Sequence, residues 1–286
     1  VVKKDFSEVN SEPGAFSLWR LYSLDIVLGA AGGSYMSARF AGTACPLLWW
    51  ILLPLTVWII YTFDHWADGR LISGSSERYR YYKKHGKTLL TLLFIQCTVW
   101  IIAALWFFDA VVLSFGLALS IPLALYFWLH LSRRAAAIFF REPGIALIYM
   151  LAVAGYPIMH ARNFHWVGGA YLLLFFLVVL GNVFLFSCLD FNIDRAGGRS
   201  SFAVRYGWNA SRMAGMTVSA TGVLFAIACI ILVEGAVSQI VFTTTGIIGL
   251  AHFLLLAGIN KPRMSAWAGI VADQLFLLSW IVLLME

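Results

Sequence analysis

Residues 164–207 read FHWVGGAYLLLFFLVVLGNVFLFSCLDFNIDRAGGRSSFAVRYG. From 164 to 189 this stretch contains no Asp, Glu, Lys or Arg. A helix crossing the hydrocarbon of a bilayer needs about 20 mostly apolar residues, so this run is long enough to cross. At Asp190 the character changes abruptly, and two aspartates, two arginines and a Gly-Gly pair follow within ten residues. The stretch therefore reads as a membrane helix that delivers a charged segment to one surface.

The same ruler, moved outward, divides the rest of the chain into further spans. Nine result, at about 17–40, 44–63, 87–107, 110–131, 145–160, 164–189, 210–233, 237–257 and 264–285. The fifth is short and contains Pro157, which predicts a kinked or broken helix. Composition agrees: of 286 residues, 61% are hydrophobic and 12% charged, with 12 Trp, 22 Phe and a mean hydropathy of +0.84. A soluble protein of this make-up lacks the polar surface to cover itself. Disordered, collagen-like and disulfide-scaffold classes are excluded on the same ground. The expected fold is all-α, a polytopic membrane bundle of nine helices around a central cavity. Residues 1–16 form a cytoplasmic N-terminal segment without the apolar core of a signal peptide, and 17–286 form one transmembrane domain. Cys45, Cys97, Cys188 and Cys229 have no metal-ligand spacing and read as small core residues.

Cytoplasmic loops accumulate Lys and Arg. With nine spans, 18 of the 20 basic residues fall on one side, and only Arg39 and Arg162 fall on the other. The N-terminus is then cytoplasmic and the C-terminus outside. Because the basic residues border membrane spans, the pI of about 9.2 points to topology and anionic lipid headgroups, not to nucleic acid.

The cytoplasmic ends of the second and sixth spans carry the same pattern. The second ends in Asp64-His65-Trp66-Ala67-Asp68-Gly69-Arg70 and the sixth in Asp190-Phe191-Asn192-Ile193-Asp194-Arg195. Residues four apart share a helix face, and two carboxylates there repel unless a cation is shared or a proton bound. If the two ends meet, Asp64, Asp68, Asp190 and Asp194 form a four-carboxylate cluster. Oxygen-only ligation suits Mg²⁺, which bridges carboxylates to substrate phosphates, while Arg grips the remaining phosphate oxygens. A chain with only 14 acidic residues makes two matched motifs at one depth a functional signal.

At these residues the sequence resembles the UbiA superfamily of intramembrane prenyltransferases. The most specific part is Asp190 to Gly207, which resembles the family's second aspartate motif with its trailing Ala-Val-Arg-x-Gly. Leu18-Trp19-Arg20 to Gly29 resembles the first-helix opening, and Gly155-Tyr156-Pro157 the fifth-helix bend. The resemblance implies a Mg²⁺-bridged prenyl diphosphate, a lipophilic acceptor and a bacterial inner-membrane setting. Transfer would occur in a dry cavity, with aromatic faces such as Tyr61, Phe63, Trp66 and Phe191 near the developing cation. The first motif departs from the family pattern. Ile60 and Tyr61 stand where relatives carry an Asn-Asp pair, and Ser76 to His85 replaces the usual basic stretch. Two readings stay open: a divergent enzyme, or a relative that kept the fold and lost the reaction.

Other charges are candidate binding residues beside the aspartates. Arg78, Arg80, Lys83 and Lys84 can cap a diphosphate or simply solvate a positive-inside loop. Arg141 can contact diphosphate or pair with Glu142; Arg195 and Arg199 belong to the second motif, and Arg20 to the first-helix opening. Asp25 and Asp273 lie at membrane depth, where ionisable groups are functional candidates. Asp25 can engage the acceptor, Asp273 can be a buried hydrogen-bonding group, and His65 can donate to phosphate. The expected function is Mg²⁺-dependent transfer of a prenyl group to a lipophilic acceptor within the membrane. The alternatives are a terpene cyclase of the same type, or a non-catalytic lipid- or quinone-binding subunit, with partner membrane subunits, on the same fold.

Overall fold

The computed structural model describes residues 19–71, 77–131, 141–161, 165–259 and 262–285. The expected N-terminal segment 1–16 and the basic residues Arg133, Arg134, Arg162 and Lys261 lie outside them. Apart from short turns the described residues are helical, with no strand among them. In chain order the helices are α1 (Leu24–Ala41), α2 (Leu47–Leu71), α3 (Glu77–Lys84), α4 (Gly86–Phe107), α5 (Ala110–Leu131) and α6 (Arg141–Met159). There follow α7 (Trp166–Leu189), α8 (Phe191–Ala196), α9 (Phe202–Tyr206), α10 (Trp208–Leu232), α11 (Ala236–Gly258) and α12 (Pro262–Leu275). A 3₁₀ segment, Phe276–Met285, extends α12. Eight of these helices are long and apolar enough to cross a membrane, the pattern of an integral membrane protein. In such helices every backbone group is satisfied within the helix, as lipid requires.

The helix α1 is the exception among the long elements. Asp25, three glycines, Ser34, Ser37 and Arg39 interrupt its apolar residues, so it does not meet the criterion for a span. Yet most of its residues are buried inside the bundle, including Gly29, Ala30, Gly32, Gly33, Ser34 and Ser37. Between membrane helices the attraction comes from close packing and interhelical hydrogen bonds, and α1 is built for both. The Ser37 hydroxyl pairs with the Tyr171 hydroxyl of α7 at 2.7 Å. The Trp49 indole of α2 donates to Ser34 Oγ at 2.9 Å, and the Trp280 indole to the Leu28 carbonyl at 3.0 Å. Phe40, Tyr171, Phe175 and Phe242 stack around the far end of this helix.

Four boundaries differ from the sequence expectation. The first span does not run unbroken from 17: residues 19–21 are helical, the chain turns at Tyr22 and Ser23, and α1 begins at Leu24. The second runs on to Leu71, because Phe63, Trp66 and Ala67 pack on neighbours beyond the apolar run. The fifth begins at Arg141, and the expected break does not occur, since Pro157 sits in the last turn of a continuous helix. Near a C-terminus, proline interrupts little of the ladder that follows. The last span changes from α to 3₁₀ at Phe276. The helices α4 and α5 turn most of their side chains outward, among them Phe94, Trp106, Ile121 and Trp128.

The closeness of α1 to the 3₁₀ segment depends on glycine. A Cβ at Gly29 would lie 2.9 Å from Phe276 Cβ, and one at Gly32 would lie 2.7 Å from the Trp280 indole nitrogen. Gly29→Val is therefore expected to destabilise the bundle by about 1–3 kcal/mol, the cost of overpacking a tight core. Thermal unfolding in detergent micelles measures it, with Gly116→Val, whose site is open, as the neutral control.

Candidate functional site

The C-terminal ends of α2, α5 and α7 and the N-terminal end of α6 surround a cavity of about 880 Å³. Its mouth is ionic and its interior apolar. Asp64, Asp68, Asp190, Asp194, Arg141 and Arg199 line the mouth; Ile60, Leu123, Phe127, Ile145 and Ile148 line the walls. Both aspartate motifs thus face one space. Asp68 and Asp190 sit at the C-terminal ends of α2 and α7, whose partial negative charge deepens the negative potential there.

Asp64 and Asp68 lie on the continuous helix α2, one turn apart on one face. The second motif is built differently. Asp190 terminates α7, and Asp194 falls in the short helix α8, with its N–H bonded to the Asp190 carbonyl at 2.8 Å. Gly197 and Gly198 then reverse the chain. Gly198 has φ 68°, a left-handed conformation that glycine adopts without a Cβ penalty. The reversal brings the Arg199 N–H onto the Asp194 carbonyl at 2.8 Å and its guanidinium back over the motifs. That guanidinium forms an ion pair with Asp68 of α2 and contacts Asp194 at 3.4 Å. Arg141, from the first turn of α6, reaches Asp194 at 3.3 Å and also the Ser200 carbonyl.

All four aspartates of the two motifs line this one cavity. Arg199 stands between the motifs, because carboxylates in a low-dielectric pocket draw in a cation in preference to one another. Among the described residues, the group compact enough to share a metal ion is Asp64, His65 and Asp68, with ligand atoms within 4.8 Å of one another. The His65 Nε2 already pairs with Ser23 Oγ at 3.0 Å, so the two carboxylates are the natural donors. Oxygen donors in that number fit Mg²⁺, which keeps waters and takes phosphate oxygens for its remaining positions. Asp190 is exposed at the rim, whereas Asp194 is buried.

Charge decides what can enter. Six carboxylates and three arginines line the cavity as a whole, leaving it net negative with histidine neutral. A bare polyanion would be repelled, while one accompanied by divalent cations would not. Burial pulls the Arg199 guanidinium below its ordinary value and Asp64 nearby pushes it back up, so it remains a cation at any physiological pH.

The remaining candidates divide clearly. Arg20 lines the cavity, as does His65. Arg141 belongs to the site through Asp194, and the expected pairing with Glu142 is replaced. Glu142 accepts instead from Ser187 Oγ at 3.3 Å and from the Phe202 N–H at 2.7 Å, and Ser187 accepts from the Ala203 N–H at 3.1 Å. These buried groups hold the start of α9, and with it the loop carrying Arg199, against α6 and α7. The sequence marks Glu142 only as a partner for Arg141 and does not mark Ser187, although a Glu opening an apolar span is itself a signal. Arg80, Lys83, Lys84 and Arg195 are exposed and do not line the cavity; the side chain of Arg78 lies outside the described residues. Asp25 is buried, accepts from the Ile26 N–H at 3.0 Å, and does not line the cavity, whereas Asp273 does. Of the four aromatics expected near the reacting carbon, Tyr61 lines the cavity. Phe63 and Trp66 pack instead beside Leu21 and Tyr82. The interior aromatics that α5, α6 and α7 supply are Tyr126, Phe127, Tyr149 and Phe186.

The helix α3 closes over this end through tyrosines, not through its cations. The Tyr22 and Tyr81 hydroxyls meet at 2.6 Å, the Tyr82 hydroxyl donates to the Leu21 carbonyl at 3.2 Å, and the Tyr82 ring packs edge-on to His65. The Tyr22 contact and burial push the Tyr81 phenol up to about 12. At the turn below, Ser23 has φ 53°, uncommon for a residue with a Cβ, and its bond to His65 holds it there. Comparisons with protein-family models, curated proteins and solved structures found no match to this chain.

Removing one partner from a buried ion pair leaves the other charge uncompensated. Arg199→Met is expected to destabilise the protein by about 3 kcal/mol, with much of the loss recovered by adding Asp68→Asn and Asp194→Asn. Unfolding curves of the single and combined variants in one detergent check this. Equal losses in both would show that the ion pairs carry no weight.

Proposed function

We propose that this chain is a divergent member of the UbiA superfamily that transfers a prenyl group from a prenyl diphosphate to a lipophilic acceptor inside the membrane, with Mg²⁺ as cofactor. The observation that carries the reading is the cavity itself: two aspartate motifs from separate helices and three arginines at one end, an apolar interior at the other. A substrate with a polyanionic head and a hydrocarbon tail matches both ends. In this reading α1, buried by its neighbours, is the ninth crossing. In this reading the site opens on the cytoplasmic side of a bacterial inner membrane with the C-terminus outside, and the bias of Lys and Arg toward one side supports that orientation.

Asp64 and Asp68, with Asp190 and Asp194 across the mouth, would hold Mg²⁺ on the diphosphate. The metal when bound neutralises the departing diphosphate. Arg141, Arg199 and Arg20 bind and orient phosphate oxygens, Arg in bidentate fashion. On substrate entry Arg199 exchanges part of its contact with Asp68 and Asp194 for phosphate, which frees those carboxylates. The allylic C–O bond breaks with its electron pair leaving on the diphosphate, and the acceptor supplies the electrons of the new bond and gives up a proton to the released diphosphate. The walls exclude water from the reactive carbon, and the faces of Tyr126, Tyr149 and Phe186 offer negative quadrupole to it. The sequence supports the same reading through the Asp190 to Gly207 motif.

One feature favours the non-catalytic alternative, a lipid- or quinone-binding subunit with partner subunits: Arg199 already joins Asp68 and Asp194 as a structural clasp. The readings separate in one assay. The purified protein in lipid, supplied with Mg²⁺ and prenyl diphosphates of several lengths, is expected to release diphosphate. Asp64→Asn, Asp190→Asn or removal of Mg²⁺ should each lower the rate by about 100-fold or more. No release from the wild type at any chain length sinks the proposal. Release without an acceptor, with a cyclic hydrocarbon identified by mass spectrometry, assigns the terpene-cyclase variant instead.

A further inference from the structure

The basic residues of α3 and of the first turn of α4 take no part in the cavity. Arg80, Lys83, Lys84 and Lys87 fall within eight residues, and no Asp or Glu occurs between 78 and 108. All four are exposed, and none of them forms an ion pair among the described residues. Arg80, Lys83 and Lys84 are spaced i, i+3 and i+4, which places them on one face of the helix. Tyr82, two residues from Arg80, points the other way and is buried beside Leu21, Trp66 and Leu89. The helix therefore has an inner face of tyrosine and an outer face of cations.

What lies against the outer face follows from α4. It begins at Gly86, and its 22 residues span about 33 Å at 1.5 Å each, close to the roughly 30 Å of a hydrocarbon core. Its first turn stands at the edge of the hydrocarbon, with Lys87 at headgroup level. The side chains that follow on its outer surface, Leu92, Phe94 and Ile95, are exposed and apolar. Backbone bonds cross the junction with α3, from the His85 N–H to the Tyr81 carbonyl at 2.9 Å and from the Leu89 N–H to the His85 carbonyl at 3.0 Å. Lys83 and Lys84 precede Gly86 by less than one helical turn, about 5.4 Å, inside the Debye length of about 8 Å at physiological salt. The cation face thus continues the lipid face of α4 into the layer where acidic headgroups lie.

The inner face leads to the site. The Tyr81 hydroxyl meets that of Tyr22, and the Tyr82 hydroxyl donates to the Leu21 carbonyl. The Tyr82 and His65 rings meet edge-on with centres 5.5 Å apart. His65 in turn holds Ser23, and Arg20, where that turn starts, lines the cavity. We propose that α3 is a lipid-docking helix: Arg80, Lys83, Lys84 and Lys87 seat on acidic phospholipid headgroups, and the bonds from Tyr81 and Tyr82 carry that docking to the turn at residues 20–23. The charge of the leaflet then regulates how firmly the mouth of the cavity is held. The proposal rests on the chain crossing a membrane and not on the transfer reading.

The test uses the whole protein in nanodiscs of phosphatidylcholine, alone or with about 30% phosphatidylglycerol, followed by hydrogen exchange with mass spectrometry. A Lys or Arg at an acidic surface contributes about fivefold to binding. With four, amides 79–85 and 20–26 are expected to exchange about tenfold or more slowly in the acidic lipid at physiological salt. The effect should vanish at about 1 M salt, where the Debye length is about 3 Å. A variant with Arg80→Gln, Lys83→Gln, Lys84→Gln and Lys87→Gln should lose it at both segments. Tyr81→Phe with Tyr82→Phe should keep it at 79–85 and lose it at 20–26. Equal exchange of 79–85 by the wild type in the two lipids overturns the docking, and this comparison does not depend on any variant folding. An effect that persists in the Gln variant places the acidic lipid elsewhere and overturns the assignment. Equal protection by soluble inorganic polyphosphate in phosphatidylcholine nanodiscs overturns lipid as the occupant. Protection of 79–85 without 20–26 in the wild type overturns the link to the mouth.

Discussion

The ion pairs that Arg199 makes with Asp68 and Asp194 join the end of α2 to the turn that follows α7. Everything at that end of the molecule is arranged around the cost of such charges. Acidic side chains gathered at one end of a cavity raise one another's energy, and the buried ones, Asp68 and Asp194, need a positive partner within reach. Arg199 and Arg141 meet that need. The Gly197-Gly198 reversal, the Glu142 and Ser187 contacts to α9, and the tyrosine clasp of α3 all serve to keep these charges in place.

The opposite problem arises within the bundle, where charge is scarce and apolar surface has no preference for protein over lipid. Packing there depends on shape. The small residues of α1 let Phe276 and Trp280 approach its backbone, and a few hydrogen bonds between serine, tyrosine and tryptophan fix its register against α2 and α7. An amphipathic design keeps polar groups outward; α1 turns them inward and covers them. The outer faces of α4 and α5 are apolar, as contact with lipid requires.

Several features of the site were legible in the chain. The two aspartate motifs face one cavity, the ends that carry them share one side, and Arg199 lies close to its aspartates. Three others were not. The break at Tyr22 and Ser23 depends on His65, 42 residues away, and no local signal announces it. Glu142 looked like the partner of Arg141 because the two are adjacent, but adjacent residues on a helix point in different directions, and each finds its partner on another element. The basic residues of α3 seemed suited to phosphate, yet their helix is anchored by Tyr81 and Tyr82, which leaves Arg80, Lys83 and Lys84 exposed.

Sequence alone determined the solvent, the helical class and the location of the rare charges, because a bilayer tolerates so few polar residues that each exception is visible as an exception. It did not determine which exceptions meet. The interposition of Arg199, the exposure of Asp190 beside the burial of Asp194, and the meeting of Tyr61, Tyr149, Asn182 and Asp273 around one cavity were decided by how the helices cross. A periodicity says which face of a helix a residue occupies. Only the packing of that face against three or four others says what it faces, and the pairing of charges depends on that.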